Sequence, residues 1–181
     1  MKRRALAVFA LVLGALPLGQ AACVPETTIT DAICPPYEDF KKVSPVLEQR
    51  CGTLDCHGQV SRPLRLYSNL GLRLPGIDEP ENGYFPGGTV PTVEQEIEAN
   101  YRAVCGLEPE IITDVVNGAA EPTDLTLVRK PRLTEKHKGG RIWDEGKAGD
   151  RCLVAWLKAD YAPGTFNDGD CKAALGVDSE Q

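Results

Sequence analysis

Two thiols and an imidazole lie close together at Cys51-Gly-Thr-Leu-Asp-Cys56-His57, with Gly58 directly behind them. Thiols so spaced and followed at once by a histidine can add to the two vinyl groups of a haem, and the imidazole then reaches the iron from the same face. Two other chemistries draw on the same side chains. In an oxidising compartment Cys51 and Cys56 can form disulfides, with each other or with other cysteines, and His57 is then left without a role. Together with His137, the one other histidine, they also match the ligand count of a tetrahedral zinc site, although closed zinc sites bring a second closely spaced pair.

Elimination narrows the axial ligands of a haem iron. The single methionine is Met1, which goes with the leader described below, so a His/Met site is excluded. His57 is then the proximal ligand and His137 the sole imidazole candidate for the distal side. Bis-histidine ligation gives a lower potential than His/Met, because a thioether raises it. A His137 that stays in solvent between Lys136 and Lys138 leaves the iron an open position, as in a haem enzyme or sensor. Gly139-Gly140 suits either a turn or a close backbone approach to a macrocycle.

Helices have to position these groups. Order begins near Glu38, where Phe40, Val43 and Leu47 fall at helical spacing and run into Cys51-Gly52, with Ser44-Pro45 as a start or a kink. Residues 59–82 read as extended chain and turns. Thr92-Val93-Glu94-Gln95 forms a capping box. The helix behind it puts Val93, Ile97, Tyr101 and Val104 on one face, leaves Glu94, Glu96 and Glu98 as a solvated face, and ends at Cys105-Gly106 in a left-handed cap. A weaker helix spans about Pro109 to Val116, and residues 121–140 are polar and broken by proline. The last helix, about Lys147 to Ala159, lines up Leu153, Trp156 and Leu157 beside Cys152, while Asp144, Glu145 and Asp150 read as solvated. From Gly164 the tail is loose except where Cys171 ties it down.

Residues 1–22 have three basic residues and no acidic one ahead of an apolar stretch too short for a membrane helix, which needs roughly 20 residues, so they read as a secretory signal peptide. Residues 23–39 form a tether, 40–171 the domain and 172–181 a flexible tail. Of the chain's 20 basic residues 17 remain after the leader, against 26 acidic ones, a net charge of −9. That charge, with no basic patch carrying interleaved aromatics, excludes nucleic-acid binding and attraction to an anionic membrane surface. No nucleophile elbow or glycine-rich nucleotide fingerprint occurs, and no hydrolytic triad is motivated. The 181 residues, with 14 Pro and 18 Gly, make one small, loop-rich domain in which covalent ties matter.

The cysteine count is 7. An odd number in an exported chain is accounted for if Cys23 at the leader's end carries lipid, Cys51 and Cys56 carry haem, and Cys34, Cys105, Cys152 and Cys171 form two disulfides. Chain position favours Cys105 to Cys152 and Cys34 to Cys171 among the three possible connectivities.

The Cys51-x4-Cys56-His57 motif resembles that of c-type cytochromes, whose common form is C-x2-C-H and whose multihaem members include the longer spacing. The order of a helix, this motif and the Arg62-Pro-Leu-Arg-Leu-Tyr67 segment is similar to the cytochrome-c-like domains of large secreted bacterial proteins, as is His137-Lys-Gly-Gly140 ahead of a terminal helix with Trp156-Leu157. The likeness covers roughly residues 40–74 and 130–158. It implies a mainly α, cytochrome-c-like fold with long loops and one covalent haem c per chain. It also implies electron transfer to a redox partner protein, for which the acidic surface calls for a basic docking face. Ala21-Ala22-Cys23 resembles a lipoprotein cleavage motif, with Gln20 where an aliphatic residue is usual. That likeness implies an exported protein on the periplasmic side of the envelope, anchored in the outer membrane, whereas cleavage after Ala21, which Gly19 and Ala21 also suit, leaves a secreted chain with Cys23 as a free thiol. Without haem, the same chain reads as a disulfide-stabilised envelope lipoprotein serving as a binding or structural module.

Overall fold

A computed structural model describes residues 32–76 and 90–176. The leader and Cys23 lie outside the described residues. What is described is mainly helical, with a single isolated bridge, Tyr67 to Leu72, in place of any sheet. Among the described residues no helix is long and apolar enough to cross a membrane.

Helix α1 spans Tyr37–Cys51, so it begins inside the stretch assigned to the tether. Glu38 and Asp39 place negative charge at its positive end. Pro45 sits within it and cannot donate to the carbonyl of Lys41, yet the helix continues. Phe40 and Val43 before the proline and Val46 and Leu47 after it all bury into one core, and that packing holds both halves in register.

Helix α2, Glu94–Cys105, starts one residue later than the capping-box reading requires, with Val93 at the cap. Thr92 is engaged elsewhere: its hydroxyl donates to the Glu48 carboxylate of α1 at 2.6 Å. Glu96 takes the reciprocal part, accepting the Val93 N–H at 3.1 Å. Gly106 is right-handed, with φ −83°, and donates to the Arg102 carbonyl, so the left-handed cap is corrected.

Glu96 is also no solvated residue, since it is fully buried. Arg73 grips both its oxygens at 2.8 Å and the Leu74 N–H donates at 3.0 Å. Burial alone would raise its pKa, but the Arg73 hydrogen bonds and backbone donors outweigh it and hold the carboxyl below the usual range. Asp150 is buried in the same manner, bound by Arg132 at 2.7 and 2.9 Å and by the Gly146 N–H at 2.7 Å. Both carboxylates tie loops to helices.

Helix α3 spans Pro109–Val116. Residues 121–140, expected to be irregular, hold a 3-10 turn at Pro122–Asp124 and helix α4 at Thr126–Arg132. The missing start signal lies far away in sequence, where the Glu108 carboxylate accepts from both the N–H and the hydroxyl of Thr126, at 2.7 and 2.8 Å. Leu127, Val128 and Pro131 then bury one side of α4. Helix α5, Ala148–Lys158, buries Leu153, Trp156 and Leu157 as expected, and Trp156 packs on Phe40 with ring centroids 5.1 Å apart. The tail is less loose than expected and forms α6, Gly169–Ala174, against α5.

The four remaining cysteines do form two disulfides, paired Cys34–Cys105 and Cys152–Cys171, and this corrects the expected connectivity. Helix α6 folds straight back on α5, so Cys171 meets Cys152, and the segment entering α1 crosses the end of α2, so Cys34 meets Cys105. The Cα separations of 5.9 and 4.8 Å are ordinary for such bridges.

One glycine of α5 is fixed by its neighbour. A Cβ on Gly149 would stand 2.9 Å from Cε3 of the buried Trp143 ring. Gly149→Ala is expected to cost about 1–3 kcal/mol by overpacking, read as a lower urea midpoint with an unchanged slope.

Candidate functional site

Cys51 is the last residue of α1, and the chain beyond it closes a tight loop. The Cys51 carbonyl accepts the His57 N–H at 2.8 Å, and the Thr53 carbonyl accepts the N–H groups of Cys56 and Gly58, both at 2.9 Å. Arg62 locks the loop from outside, its Nε donating to the Cys56 carbonyl at 2.9 Å. The four residues between the cysteines are thus folded into hydrogen-bonded turns. Below them three glycines meet without side chains between them. A Cβ on Gly58 would stand 2.3 Å from the Gly52 carbonyl oxygen, and one on Gly71 would stand 2.0 Å from it.

His57 and His137, 80 positions apart in sequence, come together. Their ring centroids are 6.2 Å apart and their planes lie within 13° of parallel. Each Nδ1 lies 2.9 Å from a backbone carbonyl, that of Leu64 for His57 and that of Gly140 for His137. A carbonyl can only accept, so each Nδ1 carries a proton, and in the neutral imidazole that leaves the lone pair on Nε2. No hydrogen bond among the described residues occupies either Nε2. This is the tautomer of a metal-ligating histidine oriented from behind by a backbone acceptor. Burial lowers the His57 pKa, the Leu64 carbonyl partly offsets that, and His137, Arg62 and Lys130 add to the lowering.

Both rings line one cavity of about 460 Å³, a size at which proteins hold cofactors. Its apolar wall comes from Leu47, Leu64, Leu107, Leu127 and Pro131, and both Cys51 and Cys56 border it. Neither cysteine is in a disulfide. Burial, with Cys56 nearby, pushes the Cys51 thiol up to about 12, so at neutral pH it is a protonated, apolar group. Two free thiols, two imidazoles with open Nε2 atoms and an apolar slot between helices fit a covalently held haem. They do not make a closed zinc site. Among the described residues no group of three or more His, Cys, Asp or Glu side chains could hold a metal ion, which corrects the four-ligand alternative.

The cavity mouth is basic, with Arg62, Lys130, Lys136 and Lys138 against Asp55. Net charge concealed this rim, because most acidic residues lie elsewhere. Sequence reasoning also missed Asn100. It is fully buried and holds the backbone of Tyr67 from both sides, accepting its N–H at 2.6 Å and donating to its carbonyl at 2.8 Å. That bond fixes the extended segment carrying Leu64, the residue that orients His57. A lone Asn on the predicted face of an amphipathic helix gave no signal of it.

Compared with known proteins, the chain matches no family model, no curated protein and no solved structure.

Proposed function

We propose that the chain is an exported, monohaem, c-type cytochrome-like electron carrier, with haem attached through Cys51 and Cys56, His57 as proximal ligand and His137 as distal ligand. One observation carries the reading. Two imidazoles bound through Nε2 on opposite sides of one iron, at nitrogen distances of about 2 Å and with ring centres roughly 1 Å further back, would stand about 6 Å apart, and the centroids of His57 and His137 are 6.2 Å apart. When bound, haem supplies one-electron chemistry at its iron. The chain's own residues do the rest. Leu64 and Gly140 carbonyls fix the tautomers, Leu47, Leu107 and Leu127 exclude water, and the two thiols tie the group so that it cannot dissociate. The unpaired state of Cys51 and Cys56 supports this over the disulfide-stapled envelope module.

The leader and Cys23 point to export, with a lipid anchor on the periplasmic side of the outer membrane. A redox protein is the partner. The basic docking face expected from the net charge has to seat away from Lys136 and Lys138, which would repel it at the cavity mouth.

The test is the intact mass of the mature protein from a host with cytochrome maturation machinery, with and without thiol alkylation. The expected result is one added haem mass, two disulfides and no alkylatable thiol. A haem-free mass with Cys51 and Cys56 open to alkylation or joined in a third disulfide overturns the reading and leaves the envelope module.

His137→Ala separates a carrier from an open haem site. With His137 as distal ligand, the variant keeps its covalent haem but its ferric spectrum turns from low-spin to high-spin. An unchanged spectrum sinks the distal assignment.

A further inference from the structure

A second, shallower groove of about 320 Å³ lies between the extended segment and the outer face of α2, bordered by Arg62, Arg65, Tyr67, Arg102 and the small residues Ala99 and Ala103. Three guanidinium groups converge there in a chain whose net charge is −6, and no carboxylate borders the groove. Arg62 uses its donors on the carbonyls of Cys56 and Asp55, at 2.9 and 3.4 Å. Arg65 uses one on the Val60 carbonyl at 2.7 Å. Carbonyls satisfy N–H groups without neutralising charge. Arg102 alone has a carboxylate partner, Glu98, one turn back on the exposed side of α2.

One donor is left over. Nε of Arg65 is buried and has no hydrogen-bond partner among the described residues, a state that is unfavourable when nothing answers it. The Tyr67 hydroxyl also has no partner there. The guanidinium groups donate only, and under their net positive charge the groove selects a ligand rich in acceptors. A planar or tetrahedral oxyanion meets that need, because the guanidinium fork matches paired oxygens bidentately.

We propose that this groove binds a small oxyanion, a carboxylate or a phosphate- or sulfate-type anion, through Arg65 and Arg102 with Arg62 at its inner end. Nothing in this depends on haem. Arg62 borders both the groove and the cavity that His57 and His137 line, so an anion here would also sit against the Cys56 loop.

The experiment titrates the mature protein at constant ionic strength with inorganic phosphate, sulfate or succinate, reading calorimetric heat and the thermal midpoint, with chloride as reference. The expected result is saturable binding of at least one of these anions, weakened tenfold or more in Arg65→Gln and at least threefold in Arg102→Gln. Lys158→Gln, on the exposed side of α5, should bind like the parent. The anion with the tightest binding identifies the source class. Equal heats in the parent and Arg102→Gln overturn the proposal, as does a response that chloride reproduces. Arg102 is exposed and unneeded by the core, so its variant keeps the test decisive should Arg65→Gln fail to fold.

Discussion

Gly71→Ala is expected to destabilise the protein by about 3 kcal/mol or more, at the upper end of what overpacking costs, and, on the proposed function, to reduce sharply the fraction of chains carrying covalent haem. The added methyl would lie 2.0 Å from the Gly52 carbonyl oxygen and 3.1 Å from Cα of Gly58. Both atoms are backbone, so no side chain can swing aside. Relief requires the turn at residues 68–71 to lift off the Cys51–Gly58 loop. That motion would break the bond from the Ser68 hydroxyl to the Gly52 carbonyl, 2.8 Å long, and disturb the Leu66 N–H to His57 carbonyl bond of 2.9 Å. The segment that lifts also carries Leu64, so the acceptor that orients His57 would move with it. Leu70→Ala, a neighbour 48% exposed, should stay within about 0.5 kcal/mol of the parent. Urea midpoints together with the ratio of haem absorbance to protein check both effects. A Gly71→Ala protein with the parent's midpoint and haem content would mean that the three glycines do not pack as described.

What could be read in the sequence follows from where each signal lies. The faces of α1 and α5 were legible because Phe40, Val43, Leu47 and Leu153, Trp156, Leu157 repeat at helical spacing and are buried for that reason. The motif at Cys51, Cys56 and His57 was legible because its three groups are adjacent. The meeting of His57 with His137 was inferred only by elimination, since nothing local to His137 announces a partner 80 positions away. Helix α4 escaped because its start is held by Glu108, and the exposed reading of Glu96 failed because Arg73 answers it from another segment. Charge paired across the fold looks, in the sequence, like charge left to solvent. The disulfide pairing escaped for the same reason, as chain order says nothing about which helix end crosses which segment.

That pairing has an energetic consequence that separates the two bridges. Cys34 and Cys105 are 71 positions apart and Cys152 and Cys171 are 19 apart. Constraint of the unfolded chain grows with the logarithm of loop length, so the first bridge is expected to contribute about 4 kcal/mol and the second about 3 kcal/mol. Paired replacements, Cys34→Ser with Cys105→Ser and Cys152→Ser with Cys171→Ser, avoid a stray thiol that could attack Cys51 or Cys56. Equilibrium unfolding should show the larger loss in the first pair. Location widens the difference. Cys105 is the last residue of α2, and Leu107, two residues on, is part of the apolar wall of the cavity that His57 and His137 line. Freeing the end of α2 therefore loosens that wall, and on the proposed function haem content is expected to fall in the first pair while the second pair, on the α5–α6 side, keeps the parent's content. Peptide mapping without reduction checks the premise directly, and a crosslinked Cys105–Cys152 peptide would overturn both the pairing and the ranking drawn from it.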